Sequence, residues 1–177
     1  MANITITDTL FCLKRDAMRY GTDWKIHVGF WVVLSYRVRR LRKYGPFYCR
    51  ALWLLDLVLG IIRRVLSDTT IPSSVPVGAG LYLPHPNGIF INAMVVLGSD
   101  VALFQQTTLG EWQGKAPVIG DGSSVFAGAK VFGGIKVGKH CKVGANVALN
   151  QDIPDGSSVS TGIPLVRYRQ EPLVITP

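Results

Sequence analysis

From residue 119 onward an aliphatic side chain returns at every sixth position: Ile119, Val125, Val131, Val137, Val143 and Leu149. Glycine follows directly at Gly120, Gly138 and Gly144. The same step holds upstream at Leu97, Leu103 and Leu109, and again at Val77, Leu83 and Ile89. Four positions after the aliphatic residue comes a mostly small or β-branched one, as at Val101, Thr107, Ser123, Ala129, Cys141 and Val147. A period of six matches neither an α-helix nor the two-residue alternation of a half-buried strand. It fits a chain that sends one aliphatic side chain inward per flat face and turns between faces, three faces making one coil of a triangular β-helix.

Two defects interrupt the frame. It slips by two residues between Ile89 and Leu97, just after LPHPNG (residues 83–88), and Leu109 to Ile119 takes ten residues where six are due. The second defect expels a loop, GEWQGKAP, from the coil. This loop is only superficially like a phosphate loop, because three residues separate its glycines and no Ser or Thr follows Lys115. At the first defect His85 stands between Pro84 and Pro86, which pre-order the ring's surroundings. Imidazole, with an ordinary pKa of about 6.5, can accept and return a proton at neutral pH, so His85 is the candidate general base. His27 and His140 are expected to be structural or exposed.

The first seventy residues differ in character. They hold twelve Lys/Arg against five Asp/Glu, so most of the net charge of +8 resides there. Gly45-Pro46 splits them into two apolar, basic segments, 24–43 and 47–66, each long enough for a helix. The apolar run at 51–62 is interrupted by Asp56 and is shorter than the roughly 20 residues a spanning helix needs. Cys12, Cys49 and Cys141 are widely spaced, with no CxxC and no paired histidines, which predicts three free thiols and no metal site. The opening residues lack the pattern of a secretion signal, so the expected location is cytoplasmic. No nucleic-acid-binding module is recognisable in the basic segment.

The combination of LPHPNGIFIN, FQQTTLG, a protruding loop and APVIGDGSSVFAGAKVFGGIKVGKHCKVGANVALNQDIPDGSSVSTGIP resembles the serine O-acetyltransferase branch of the left-handed β-helix acyltransferases. Ser35-Tyr36-Arg37-Val38 is similar to part of the helix that precedes the coils in that family. The resemblance covers about residues 70–167. It implies a mainly β protein: a left-handed parallel β-helix over 70–168, an N-terminal α-helical region over 1–69 and a tail over 169–177. It also implies an O-acetyltransferase with acetyl-CoA as co-substrate, no permanently bound cofactor, and homotrimers whose active sites lie between neighbouring coils. By resemblance His85 takes the proton of an acceptor hydroxyl as it attacks the thioester; on physical grounds a backbone amide near the Leu109-Gly110 turn is the candidate for stabilising the oxyanion. Asn87, Gly110 and Lys115 are then expected at the acceptor. The pantetheine arm is expected along Gly110, Gly128, Ala129, Gly144, Ala145 and Thr161, with Arg167 at a CoA phosphate.

Departures from the family pattern bear on the acceptor. The family aspartate fifteen residues before the base falls on Thr70, leaving Asp68 as the substitute carboxylate. The acidic residue just before the base is Pro84, and a second histidine, in the protruding loop, is Ala116. A site that grips a small zwitterion depends on such paired polar groups. The expectation is therefore a sugar hydroxyl in surface-polysaccharide synthesis, as in the similar colanic-acid and exopolysaccharide acetyltransferases. Serine acetylation for cysteine biosynthesis is the alternative, and a non-catalytic membrane-associated scaffold a further one. The basic segment with Trp24, Trp31 and Trp53 suits peripheral contact of residues 24–66 with the inner face of the membrane, or packing within the oligomer.

Overall fold

The computed structural model describes residues 4–162. Three helices, α1 (Ile6–Met18), α2 (Val28–Tyr44) and α3 (Trp53–Leu66), lead into a parallel β-solenoid. The first face of the solenoid stacks β1 (Phe90–Ile91), β4 (Thr108–Gly110), β7 (Lys130–Phe132) and β10 (Ala148–Leu149). The second stacks β2 (Val96–Leu97), β5 (Val118–Ile119) and β8 (Lys136–Val137), and the third β3 (Ala102–Leu103), β6 (Ser124–Val125), β9 (Lys142–Val143) and β11 (Ser158–Val159).

The hexapeptide period is visible in the register. Lys130 lies beside Ala148, Val118 beside Lys136 and Ser124 beside Lys142, each pair three hexapeptides apart. Where the expelled loop intervenes, as from Thr108 to Lys130, the spacing lengthens by four residues. The period-six aliphatics from Leu83 to Leu149 and the small residues between them are buried, and the former stack into one continuous core. The two-residue slip lies elsewhere than the sequence frame puts it. Ile71 and Ile91 belong to neighbouring coils, and the excess falls between Leu83 and Ile89, inside PHPNG itself. Ile89 is buried, but it fills the corner position taken in other coils by Val95, Val101 and Thr107. An aliphatic residue suits either position, which is why periodicity alone misplaces the slip.

Corner residues turn through left-handed backbone. One column runs Gly88, Gln106, Gly128, Asn146, all with positive φ. A Cβ on Gly128 would collide with the Asn146 Oδ1 of the next coil, so glycine is required there by contact as well as by φ.

The first coil has no preceding coil to satisfy its backbone, and the helices take that role. Tyr36 Oη donates to the Val75 carbonyl at 2.6 Å. Arg37 reaches the Val77 and Gly78 carbonyls, Arg40 those of Ser73 and Val75, and Arg63 that of Thr69. Asp16, wholly buried, accepts from the Gly80 and Leu81 amides and from Arg37 Nε at 2.9 Å. Segment 24–43 shortens to α2 and segment 47–66 to α3, each preceded by a 3₁₀ turn. Sequence reasoning missed α1, although Thr5 and Asp8 form a reciprocal capping box at its start.

Candidate active site

The PHPNG corner is held from two sides. On the entering side, the Leu83 amide donates to Tyr20 Oη at 3.0 Å. Burial pushes the Tyr20 phenol well above its ordinary pKa, so it remains a neutral partner. The Leu83 carbonyl lies so close to α2 that a Cβ on Gly29 would overlap it. On the leaving side, the residues after α3 form a clamp. Ser67 Oγ and Thr69 Oγ1 both donate to the buried Pro86 carbonyl. Asp68 Oδ1 accepts the Gly88 amide at 2.6 Å, and the Asn87 amide closes the turn onto the His85 carbonyl at 2.8 Å. With Pro84 half-buried and Pro86 buried, the backbone is fixed while the imidazole of His85 stays exposed.

His85 opens onto a cavity of about 350 Å³ lined by Asp68, His85, Asn87, Gly88, Gln105 and Gln106. The cavity thus brings together His85, the substitute carboxylate Asp68 and the acceptor candidate Asn87. Thr70, at the position of the family aspartate, instead accepts from Arg63 through its hydroxyl and bridges to Phe90. Sequence reasoning missed Gln105. Its Oε1 is buried without a hydrogen-bond partner, a costly state for a polar atom and one a bound hydroxyl or ammonium would relieve. The only signal was its position in FQQTTLG, one coil on from His85.

The cavity sits at the head of a corner column. The Gln106 amide donates to the Asn87 carbonyl, Gly128 to Gln105, and Asn146 to Ala127, so successive corners step along one edge of the solenoid. Gly128, Gly144, Ala145 and Thr161 of the expected CoA set all lie on this edge. Gly144 packs so closely on the next coil that a Cβ would stand 2.8 Å from the Val159 carbonyl. Ala129 does not line the edge: it is fully buried in the core, with its amide on Phe126 and its carbonyl accepting from Thr108. Its smallness serves packing. Arg167 and residues 163–168 of the expected β-helix lie outside the described residues.

Gly110, the last residue of β4, and Lys115, in the expelled loop, do not line the His85 cavity within one chain. The loop is a tight hairpin. Trp112 and Lys115 exchange both backbone hydrogen bonds around Gln113-Gly114, two residues with positive φ, and the Trp112 ring packs edge-on against Phe132 at 5.9 Å. Of the lysines on the coils, Lys130 is committed to the Gln106 and Gly128 carbonyls and Lys139 to Asp121. His140 turns a different corner, its ring over Gly122, and His27 is half-buried beside Tyr20 at the start of α2.

No protein-family model matches the chain. It is 31% identical over 161 residues to a serine acetyltransferase from Bacillus pumilus, a match covering 89% of this chain and 71% of the relative. Among solved structures, serine acetyltransferase isoform 3 from Entamoeba histolytica, in complex with cysteine, superposes with a TM-score of 0.73 at 25% identity over 90% of this chain. This chain spans 60% of that protein's length. A serine acetyltransferase solved in complex with CoA matches with a TM-score of 0.70 at 26% identity, over 86% of this chain and 67% of that one. The solenoid is accordingly a left-handed β-helix behind a helical lead-in. All three relatives are named for serine, so these matches do not support the narrower resemblance to the colanic-acid and exopolysaccharide branch. The expectation of a saccharide acceptor is thereby less well supported than its serine alternative. By sequence and fold together, the chain belongs to the serine acetyltransferase family of hexapeptide-repeat acyltransferases.

Proposed function

We propose that the protein transfers the acetyl group of acetyl-CoA to the hydroxyl of a small acceptor, L-serine first, with His85 as general base. The observation that carries this reading is an exposed imidazole on a backbone clamped by Ser67, Asp68 and Thr69, at the head of an edge of small residues. The imidazole takes the hydroxyl proton, the acceptor oxygen attacks the thioester carbonyl, and the C–S bond breaks as the proton passes to the departing CoA thiolate. Both substrates held in one complex gain the proximity advantage without a covalent enzyme intermediate.

In this reading Asn87 and the unpartnered Gln105 Oε1 meet the acceptor, and the pantetheine arm follows the edge through Gly128, Gly144, Ala145 and Thr161. A homotrimer fits this arrangement: Gly110 and Lys115, which do not line the His85 cavity within one chain, would reach a site from a neighbouring copy. There the Gly110 amide would face the oxyanion and Lys115 an acceptor carboxylate. Arg167 is assigned to a CoA phosphate. Three free cysteines suit a reducing, cytoplasmic setting.

A second reading, acetylation of a sugar hydroxyl, rests on two positions. Pro84 and Ala116 present no polar side chain where the family pattern has an acidic residue and a histidine. A saccharide needs no paired contacts for an α-amino acid. Thiol release from acetyl-CoA, measured with serine and with nucleotide-linked and lipid-linked sugars, separates the two. Serine-dependent release supports the first reading, and sugar-dependent release without serine turnover supports the second. Absence of CoA binding by calorimetry would leave only a scaffold.

A further inference from the structure

Helix α3 is built inside out. Its buried residues are Asp56, Leu59, Gly60 and Arg63, while Trp53, Leu54, Leu57, Val58, Ile61 and Val65 are 45–79% exposed. Two of the four inward residues are charged and are used for ion pairing and backbone contacts. Asp56 accepts from Arg39 Nε at 3.1 Å and from Arg42 Nε at 2.9 Å, and Arg63 turns back to the Thr69 carbonyl. Phe47 and Tyr48 of the preceding turn are also exposed, at 79% and 65%. So many large apolar side chains exposed along one short stretch of chain mark an interaction site.

Charge decides what covers it. Residues 39–66 contain seven Lys/Arg and the single acid Asp56. A groove of about 310 Å³ is lined by Arg39, Arg42 and Arg64 against Asp56, together with Trp53, Leu57 and Ile61 of the apolar face. Both Asp56 oxygens are taken by Nε groups, so a surplus of guanidinium positive charge faces the groove. Exposed Arg50 stacks on Phe47 at 5.0 Å. A second copy applying the same face across a two-fold axis would set these cations against one another. Helix α3 has 14 residues, and among the described residues no helix is long and apolar enough to cross a membrane.

We infer that the outer face of α3, with the Phe47–Tyr48 turn, lies flat on an anionic lipid bilayer, apolar side chains at the acyl boundary and the arginine groove on lipid phosphate. Trp, Tyr and Arg at the rim of an apolar stripe are the composition of such interfacial helices. The surface is separate from the His85 cavity, and the inference stands whichever acceptor is used.

The test is co-sedimentation of the full chain with vesicles of phosphatidylcholine alone or with roughly a third phosphatidylglycerol, the anionic mixture being expected to bind about a hundredfold more strongly and in a salt-sensitive manner. Leu57→Glu/Ile61→Glu should lose binding to both vesicles. Arg42→Gln/Arg64→Gln should lose the anionic preference while keeping weak attachment. Circular dichroism melting of both variants establishes that they fold. Failure of the wild type to bind anionic vesicles, or equal binding to both compositions, overturns the inference. Sedimentation velocity showing an oligomer that Leu57→Glu/Ile61→Glu disperses, without lipid attachment, would instead make α3 a subunit interface.

Discussion

Asp68 and Gly88 are joined by a 2.6 Å hydrogen bond, so the carboxylate that shares a cavity with His85 is engaged with the backbone of the turn that carries the imidazole. In the proposed mechanism its first role is to position. Asp68→Ala should lower kcat by about tenfold by loosening the turn, an effect typical of lost supporting contacts. Asp68→Asn, which keeps an acceptor oxygen, should restore most of the rate with an unaltered pH profile. A shifted profile in the Asn variant would mean that the charge acts on the imidazole directly.

Gln105 offers a separation of stability from binding. Replacing its side chain by leucine removes the buried, unpartnered amide oxygen, so the melting temperature of Gln105→Leu should stay level or rise. If Oε1 meets the acceptor, KM for the acceptor should rise about tenfold while KM for acetyl-CoA holds, the magnitude of one lost hydrogen bond. Steady-state kinetics in both substrates reads this directly.

The Asp16–Arg37 pair closes the open end of the solenoid from within. Removing one partner of a buried pair leaves the other uncompensated, so Arg37→Met should destabilise by about 3–5 kcal/mol in denaturant unfolding. Asp16→Asn/Arg37→Met should recover only part of this, since Asp16 also accepts the Gly80 and Leu81 amides.

Alkaline pH tests the same cap. Burial raises the Tyr36 phenol to about 12, against the influence of Arg40 and Arg37, which lower it. A folded-state pKa above the unfolded value of about 10 means that the stabilisation is complete below pH 10 and is lost as pH rises towards 12. Unfolding free energy should therefore fall across that window. Tyr36→Phe should flatten part of the slope and cost about 1 kcal/mol at neutral pH through the lost bond to Val75.

The coils were legible in the sequence because each face must bury one aliphatic, a constraint that no other period satisfies. The exact site of the slip was not, since Ile89 and Ile91 are both apolar and only pairing with Leu109 distinguishes strand from corner. His85 was legible as an anomaly in that frame. Gln105 was hidden because an unpartnered atom exists only in three dimensions. In sequence the cationic segment suits membrane contact or packing within the oligomer, yet Arg37 and Arg63 are buried against carbonyls of the solenoid's first turn, whose need for donors arises only once the coil has an end. Ala129 followed the small-residue pattern into the CoA set, whereas its side chain fills the core.

The most direct test is thiol release from acetyl-CoA by the wild type and His85→Ala at saturating acceptor, with circular dichroism confirming that the variant folds. The expected result is acceptor-dependent release by the wild type and a loss of about 10²–10⁴-fold in kcat in the variant, the range for removal of a positioned general base. Near-wild-type release by His85→Ala would contradict the assignment of the base and with it the proposed mechanism.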